Sequence, residues 1–404
     1  PVNYFAVADF DGDGIPDLAT ANGEPWDISI YHGRGDGEFD VGVLLPVGQP
    51  SGSLAAGDFN GDGYVDLVTT SLGLFPTYAS GLWLFLGKGD GTFADAIRRQ
   101  GVGTPLVSDL NGDGIPDVLL SFADGPQHVL LGDASEPFGR DIAFEGGAPS
   151  GIPVLGDVDA DGRIDLVLAQ AAGGMAAVLS GNGDGTFGSY RGISIGESPG
   201  TPAAADFDLD GSLDLAVPEI LPGGSAGKLH MLFGVGAGEF RRVDLDVPAP
   251  FGSLLAFDAN GDGRPDLAMQ GSTGEVILIA QGDGSFAPAA TIEIPTSSSV
   301  LSADVDGDHH ADLIASHPYS SLVTVNLGHG DGTFETAILI GAGSGASGLA
   351  LSDFDGDGRL DLAVVNGYSS SSGTLHLMRG RGDGVFLPFK DYPVGDQPAA
   401  VAAG

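Results

Sequence analysis

Aspartates at positions 1, 3, 5 and 9 of a ten-residue stretch set the chemistry available to this chain. In "DFDGDGIPDL" they are Asp9, Asp11, Asp13 and Asp17, and a loop so built brings four oxygen-bearing side chains onto one centre. The backbone carbonyl at position 7 can add a fifth oxygen. Hard oxygen ligands in a flexible loop select Ca2+ over softer transition metals. Without a cation, carboxylates within about 4 Å of one another would repel by several kcal/mol at an intermediate effective dielectric.

The same spacing returns seven more times. The further ligand sets are Asp58, Asn60, Asp62 and Asp66; Asp109, Asn111, Asp113 and Asp117; Asp157, Asp159, Asp161 and Asp165; and Asp206, Asp208, Asp210 and Asp214. They continue as Asp258, Asn260, Asp262 and Asp266; Asp304, Asp306, Asp308 and Asp312; and Asp353, Asp355, Asp357 and Asp361. Successive first aspartates are 46 to 52 residues apart, so one unit is repeated along the whole chain. An EF-hand would need a bidentate Glu at position 12, where this chain has Thr20, Thr69 or Leu120 inside an expected strand. Asp and Gly also favour plain Asx turns. Eight copies at one internal spacing favour the metal reading over that one. The seventh copy carries His309 where glycine is usual, and is expected to hold its ion more weakly.

Composition agrees with cations as partners. With 15 Lys and Arg against 55 Asp and Glu, the formal net charge of -40 repels phosphate backbones and anionic lipid surfaces, which argues against nucleic-acid binding and membrane insertion. So acidic a chain could be disordered, yet 42% of it is hydrophobic, in short clusters set among 69 glycines. These features predict a folded, turn-rich, all-β protein. There is no cysteine, so disulfides and thiolate metal sites are excluded. No apolar run approaches the roughly 18 residues of a membrane span. The chain begins at Pro1 without Met, which fits a processed secreted protein or a trimmed segment.

The elements that must position these loops are legible between them. A second motif follows each acidic loop by about 25 residues: "GRGDGEF" at Gly33, "GKGDGTF" at Gly87, "GNGDGTF" at Gly181, "GVGAGEF" at Gly234, "AQGDGSF" at Ala280, "GHGDGTF" at Gly328 and "GRGDGVF" at Gly380. The third unit keeps only Gly132 and Phe138 of it. Arg34-Gly35-Asp36 and Arg381-Gly382-Asp383 read as cell-adhesion tripeptides. The Arg position also holds Lys88, Asn182, Val235, Gln281 and His329, so these are expected to be hairpin turns that happen to carry Arg. Around the two motifs lie four short apolar strands per unit, such as "GSLAAG" before a loop and "LWLFLG" before a turn, forming an antiparallel meander. Continuous apolar runs such as Leu82-Trp83-Leu84-Phe85-Leu86 mark sheets buried on both faces.

Small sheets stacked face to face around an axis meet that requirement. The expected fold is an all-β β-propeller of eight four-stranded antiparallel blades, with residues 1–404 forming one domain of eight repeats of about 50 residues. A seven-bladed ring with an extra repeat is the alternative. The tail Gln397 to Gly404 resembles a ninth first strand without a loop, and is a candidate for pairing with another subunit.

The acidic loop together with the Gly-Asp-Gly turn resembles the FG-GAP (VCBS-type) repeat of integrin α-subunit propellers and of many secreted proteins. The resemblance covers essentially the whole chain. It implies a β-propeller with one Ca2+ in each loop between the first and second strands, up to eight ions, held by the residues at positions 1, 3, 5 and 9.

In such a meander the acidic loops and the Gly-Asp-Gly turns share one rim, and the variable connections share the other. On that variable rim Trp26, Phe75, Tyr78, Tyr319 and Tyr368 are candidates to stack on sugars or to anchor a protein. The eight histidines look scattered, and no nucleophile or catalytic-metal pattern is present, so no enzyme is expected. The favoured reading is a non-catalytic, calcium-stabilised, secreted or cell-surface module that binds glycan or protein in adhesion or lectin-like recognition. The alternatives are a structural subunit of a surface layer or filament, assembling through the terminal strand, and a polysaccharide-cleaving enzyme.

Overall fold

The computed structural model describes residues 5–22, 26–48, 51–71, 81–100, 103–122, 125–147, 149, 153–170, 173–220, 226–236, 238–248, 250–271, 274–292, 297, 299–366 and 373–394. Among these the short apolar runs form 32 strands, and no helix is present. The strands group into eight four-stranded antiparallel sheets spanning 5–46, 51–100, 104–144, 154–194, 203–248, 250–292, 299–341 and 346–394. Each strand pairs with its neighbour in the chain, so every sheet is a simple up-and-down meander, one blade of a β-propeller. Blades are numbered here in that order, with strands A to D running from first to fourth.

Blade 1 shows the pattern with Phe5–Ala8, Asp17–Ala21, Asp27–Gly33 and Phe39–Pro46 as its strands A to D. Strands B and C are buried on both faces, as their unbroken apolar runs predict: Asp66–Ser71, Gly81–Phe85 and Asp165–Gln170 are buried along their whole length. Strand D is mostly exposed or half-buried, as in Phe39–Pro46, because it forms the outer edge of its sheet. Neighbouring blades interdigitate. Phe59, Val68, Leu82 and Leu84 of blade 2 pack on Val118, Leu120, Leu130 and Phe138 of blade 3. Each fully buried Leu, Val or Phe of this kind contributes about 1.5–3 kcal/mol.

One aromatic contact recurs between blades. The residue after the first aspartate of a loop packs on the phenylalanine ending the Gly-Asp-Gly motif of the next blade. The pairs Phe10–Phe93, Phe59–Phe138 and Phe207–Phe286 have ring centroids 5.8, 5.3 and 5.8 Å apart. Blade 8 meets blade 1 in the same way, through Phe354 and Phe39 at 5.8 Å. That junction is reinforced by Tyr31, whose hydroxyl donates to the Pro393 carbonyl at 2.8 Å. The Phe39 amide in turn donates to the Tyr392 hydroxyl at 2.7 Å. Lys390 pairs with Glu38 at 2.8 Å. The ring therefore has eight blades, and the seven-bladed alternative is set aside. The tail from Gln397 to Gly404 lies outside the described residues.

Candidate metal centres and the variable rim

Each acidic loop is a nest of backbone amides folded around its aspartates. In blade 1, Asp9 accepts hydrogen bonds from the amides of Gly12 (2.7 Å), Asp13 (3.1 Å) and Gly14 (2.9 Å). Asp11 accepts from Asp13 at 3.1 Å, and Asp13 from Ile15 at 2.8 Å. Positions 4 and 6 need left-handed backbone to make this turn, with φ of 78° at Gly12 and 85° at Gly14. Ala160 and Leu209 adopt the same conformation at position 4, and His309 at position 6 with φ of 69°. The His309 amide still donates to Asp304 at 3.0 Å, so the backbone path of the seventh loop is kept.

The aspartate at position 9 behaves differently from the other three. Asp17 is fully buried, and its two oxygens accept the amides of Phe10 (2.8 Å) and Gly33 (2.7 Å). It thereby ties the acidic loop to the start of the Gly-Asp-Gly turn. All eight copies repeat the bond pair; in blade 2, for example, Asp66 holds Phe59 and Gly87 at 2.9 and 2.8 Å. Burial pushes these carboxyls up, against the lowering by the two amides and with a further rise from neighbouring aspartates. Asp66 and Asp214 are raised to about 7, and Asp117, Asp266 and Asp361 to about 6. Asp17, Asp165 and Asp312 are raised for the same leading reason.

These donor sets fit a hard divalent cation. Carboxylate oxygens from Asp9, Asp11 and Asp13 lie within 4.8 Å of one another. The same holds for Asp157, Asp159 and Asp165, for Asp206, Asp208 and Asp210, and for Asp304, Asp306 and Asp308. Asp208 Oδ1 is buried without a hydrogen-bond partner. So is His32 Nδ1, which lies 3.7 Å from Asp11 and 3.5 Å from Asp17. Closely spaced carboxylates, with a buried oxygen left unsatisfied at Asp208, are the condition that a bound cation relieves.

The Gly-Asp-Gly motifs are turns, as their spacing predicts. Gly35 and Gly37 have φ of 69° and 79°, and a Cβ on Gly33 would lie 2.3 Å from the Pro16 carbonyl oxygen. The Arg34 guanidinium folds onto its own hairpin, 3.5 Å from Glu38 and 3.7 Å from Asp40. Arg381 pairs with Asp383 at 2.9 Å.

Loop and meander thus recur in every blade, and the Gly-Asp-Gly-type turn in all but the third. The FG-GAP-like repeat pattern matches residues 9–69, 109–168, 157–217, 258–315, 304–364 and 353–404. The chain belongs to the FG-GAP-like repeat family. No curated protein matches this FG-GAP-like chain. Among solved structures, an Agrocybe aegerita lectin described as recognising non-reducing terminal N-acetylglucosamine is 20% identical. It superposes with a TM-score of 0.53 over 83% of this chain and 94% of its own. A Lactobacillus plantarum protein is 16% identical, with a TM-score of 0.51 over 82% of this chain and 97% of its own. At these identities the likeness is one of fold.

The opposite rim is built from the B-to-C and D-to-A connections. Of the aromatic residues expected there, Phe75, Tyr78 and Tyr368 lie outside the described residues. Tyr319 is 80% exposed. Trp26 sits in left-handed backbone (φ 63°), where its carbonyl accepts the amides of Val47 and Gly48. Gly174 and Ser321 hold the same place in blades 4 and 7, with φ of 60° and 57°, and accept from the D-to-A segment in the same way.

Two features of this rim escaped the sequence reading. The first is a buried polar side chain at the end of strand B that pins the D-to-A connection: Gln170 donates to the Gly146 carbonyl at 2.7 Å, and Asn366 to that of Ala342. The second corrects the view of scattered histidines. His128, His230 and His376 share one slot on strand C, each four residues before the glycine of the second motif. Each faces an aspartate on strand D: Asp141 at 2.7 Å, Asp244 at 2.9 Å and Asp391 at 2.6 Å. Aligning the units on that glycine, rather than on the first aspartate, would have revealed the slot.

Proposed function

We propose that this protein is a non-catalytic, calcium-stabilised recognition module of the extracellular space, binding glycan or protein ligands through its variable rim. The observation that carries the reading is the contrast between the rims: one repeats the same acidic loop in all eight blades, while the other differs from blade to blade. Calcium would be held by the residues at positions 1, 3, 5 and 9 of each loop, where it supplies the positive charge that lets buried aspartates stay ionised. Eight divalent ions would bring the formal charge from -40 to about -24, easing the self-repulsion of the compact state. Sites of this kind fill where calcium is millimolar, which suits a secreted or cell-surface location. The solved lectin with the same fold supports glycan as the ligand class. Among the described residues no helix is long and apolar enough to cross a membrane.

The test is a glycan array probed in millimolar calcium and again after chelation. Calcium-dependent binding to defined glycans is expected. A blank array from well-folded protein would turn attention to protein ligands or to assembly through the terminal strand.

A further inference from the structure

At the variable rim, blades 4 and 5 enclose an open cleft of about 460 Å3, lined by Gly173, Gly174, Ser194, Gly196, Glu197 and Glu219. Glu219 is the penultimate residue of strand B of blade 5 (Asp214–Ile220), and its side chain is 9% exposed. One carboxylate oxygen accepts the Glu197 amide at 2.9 Å, and the other lies 3.1 Å from His230 Nε2. His230 is 1% exposed, and its second ring nitrogen faces Asp244 at 2.9 Å. Arg242 clasps Asp244 and also donates to the backbone carbonyls of Ser194 and Ile195 across the blade junction. Gly196 makes the arrangement possible, because a Cβ there would lie 1.8 Å from a Glu219 oxygen.

Pinning the D-to-A connection does not require this machinery. Gln170 performs that task in the adjacent blade with an amide alone. Blade 5 instead places an acid in the slot and sets a buried histidine, a second acid and an arginine behind it. The surplus is a carboxylate fixed at the cleft floor. A carboxylate has about four lone-pair positions, and the two bonds described leave roughly half of them available to a ligand.

We propose that this cleft is a binding site for a neutral, hydroxyl-rich ligand, a sugar ring, with Glu219 as the acceptor of its hydroxyl protons and Glu197 as a second acceptor at the mouth. The lining decides the class. Among the described residues no cationic side chain lines the cleft, the Arg242 guanidinium is occupied by Asp244 and two carbonyls, and the two lining carboxylates repel anions. Gly173, Gly174 and Gly196, with Ser194 and two glutamates, offer no apolar platform for a lipid or an aromatic ring. The proposal rests on the recognition reading above and assigns it a place and a chemistry.

The experiment titrates methyl glycosides of glucose, galactose, mannose and N-acetylglucosamine into calcium-loaded protein, following the amide signals of Gly174, Gly196 and Glu197. Shifts at those amides are expected with one of the glycosides, and Glu219→Gln should weaken that binding about tenfold or more while leaving the melting temperature nearly unchanged, since the glutamine oxygen can keep the Glu197 amide while its NH2 donates to His230 Nε2, the ring then carrying its proton on Nδ1 toward Asp244. Glu197→Gln should weaken it by a smaller factor. Glycoside or array binding that leaves these amides unmoved, or that survives Glu219→Gln, overturns this site while the recognition reading stands. A protein that binds amines here but no glycoside overturns the ligand class. No glycoside binding together with a blank array removes both this site and glycan recognition.

Discussion

The two rims of the ring solve the same mechanical problem in opposite ways. On the acidic rim, every blade joins its loop to its turn with one device, a buried aspartate accepting two amides, as Asp17 does from Phe10 and Gly33. On the variable rim, the matching task of holding the D-to-A connection falls to Gln170 in blade 4, Glu219 in blade 5 and Asn366 in blade 8. The calcium reading proposed above accounts for uniformity on the first rim, since oxygen donors around one cation could not move independently. Variation on the second is permitted because any buried polar group that reaches the backbone will do. A rim free to vary is where specificity can be built without unsettling the fold.

Removing calcium from the proposed sites should produce the largest effect. Buried aspartates that cannot neutralise one another oppose the folded state, so exhaustive calcium removal is expected to lower the melting temperature by roughly ten degrees or more by scanning calorimetry. An unchanged melt would mean that the acidic rim is only a set of turns. The pH response of the calcium-free protein sharpens the point. The carboxyls of Asp66 and Asp214 (to about 7) and of Asp117, Asp266 and Asp361 (to about 6) are raised in the folded state. Between the ordinary carboxylate value and those values, the folded state binds more protons than the unfolded one. As far as these groups are concerned, stability of the calcium-free protein should therefore be greatest below about pH 4, and should fall as pH rises from there through 6 to 7. With calcium bound the order reverses, because protons then compete with the ion. Melts of both forms at pH 5 and pH 8 measure the crossover.

Single substitutions come next in size. Asp66→Ala strands the buried amides of Phe59 and Gly87, and is expected to cost about 3–5 kcal/mol in chemical denaturation. Gln170→Leu on the other rim strands one carbonyl, that of Gly146, at about 1–3 kcal/mol. Equal costs would erase the distinction between a shared node and a replaceable pin.

The acidic loops were legible in the chain because their residues are local: four acidic or amide side chains within nine positions, repeated, define both the loop and the blade. The burial of strands B and C could be read from unbroken runs such as Leu82 to Phe85 for the same reason. Half of the role of Asp17 was hidden, since its bond to Gly33 crosses 16 residues. Ring closure was hidden further, because Phe39 meets Phe354 and Lys390 meets Glu38 across almost the whole chain. The His230 and Glu219 cluster stayed out of sight for a different reason: its members come from strands B, C and D of blade 5, and only the meander brings them together.

The smallest predicted effect tests whether backbone strain is spread evenly over the two rims. Leu209 at position 4 of the fifth loop, a place other loops give to glycine or alanine, and Ser321 before strand C of blade 7, a place held by Trp26 and Gly174 in blades 1 and 4, both adopt left-handed backbone. Leu209 is half exposed, so its side chain returns little packing. Leu209→Gly should then stabilise the protein by about 0.5–1 kcal/mol, the strain relieved less the added freedom of the unfolded chain. Ser321→Gly should behave similarly if its turn is purely mechanical. A loss of stability in Ser321→Gly alone would show that this side chain holds its connection in place. A loss in Leu209→Gly alone would show that the fifth acidic loop depends on contacts the other seven do without.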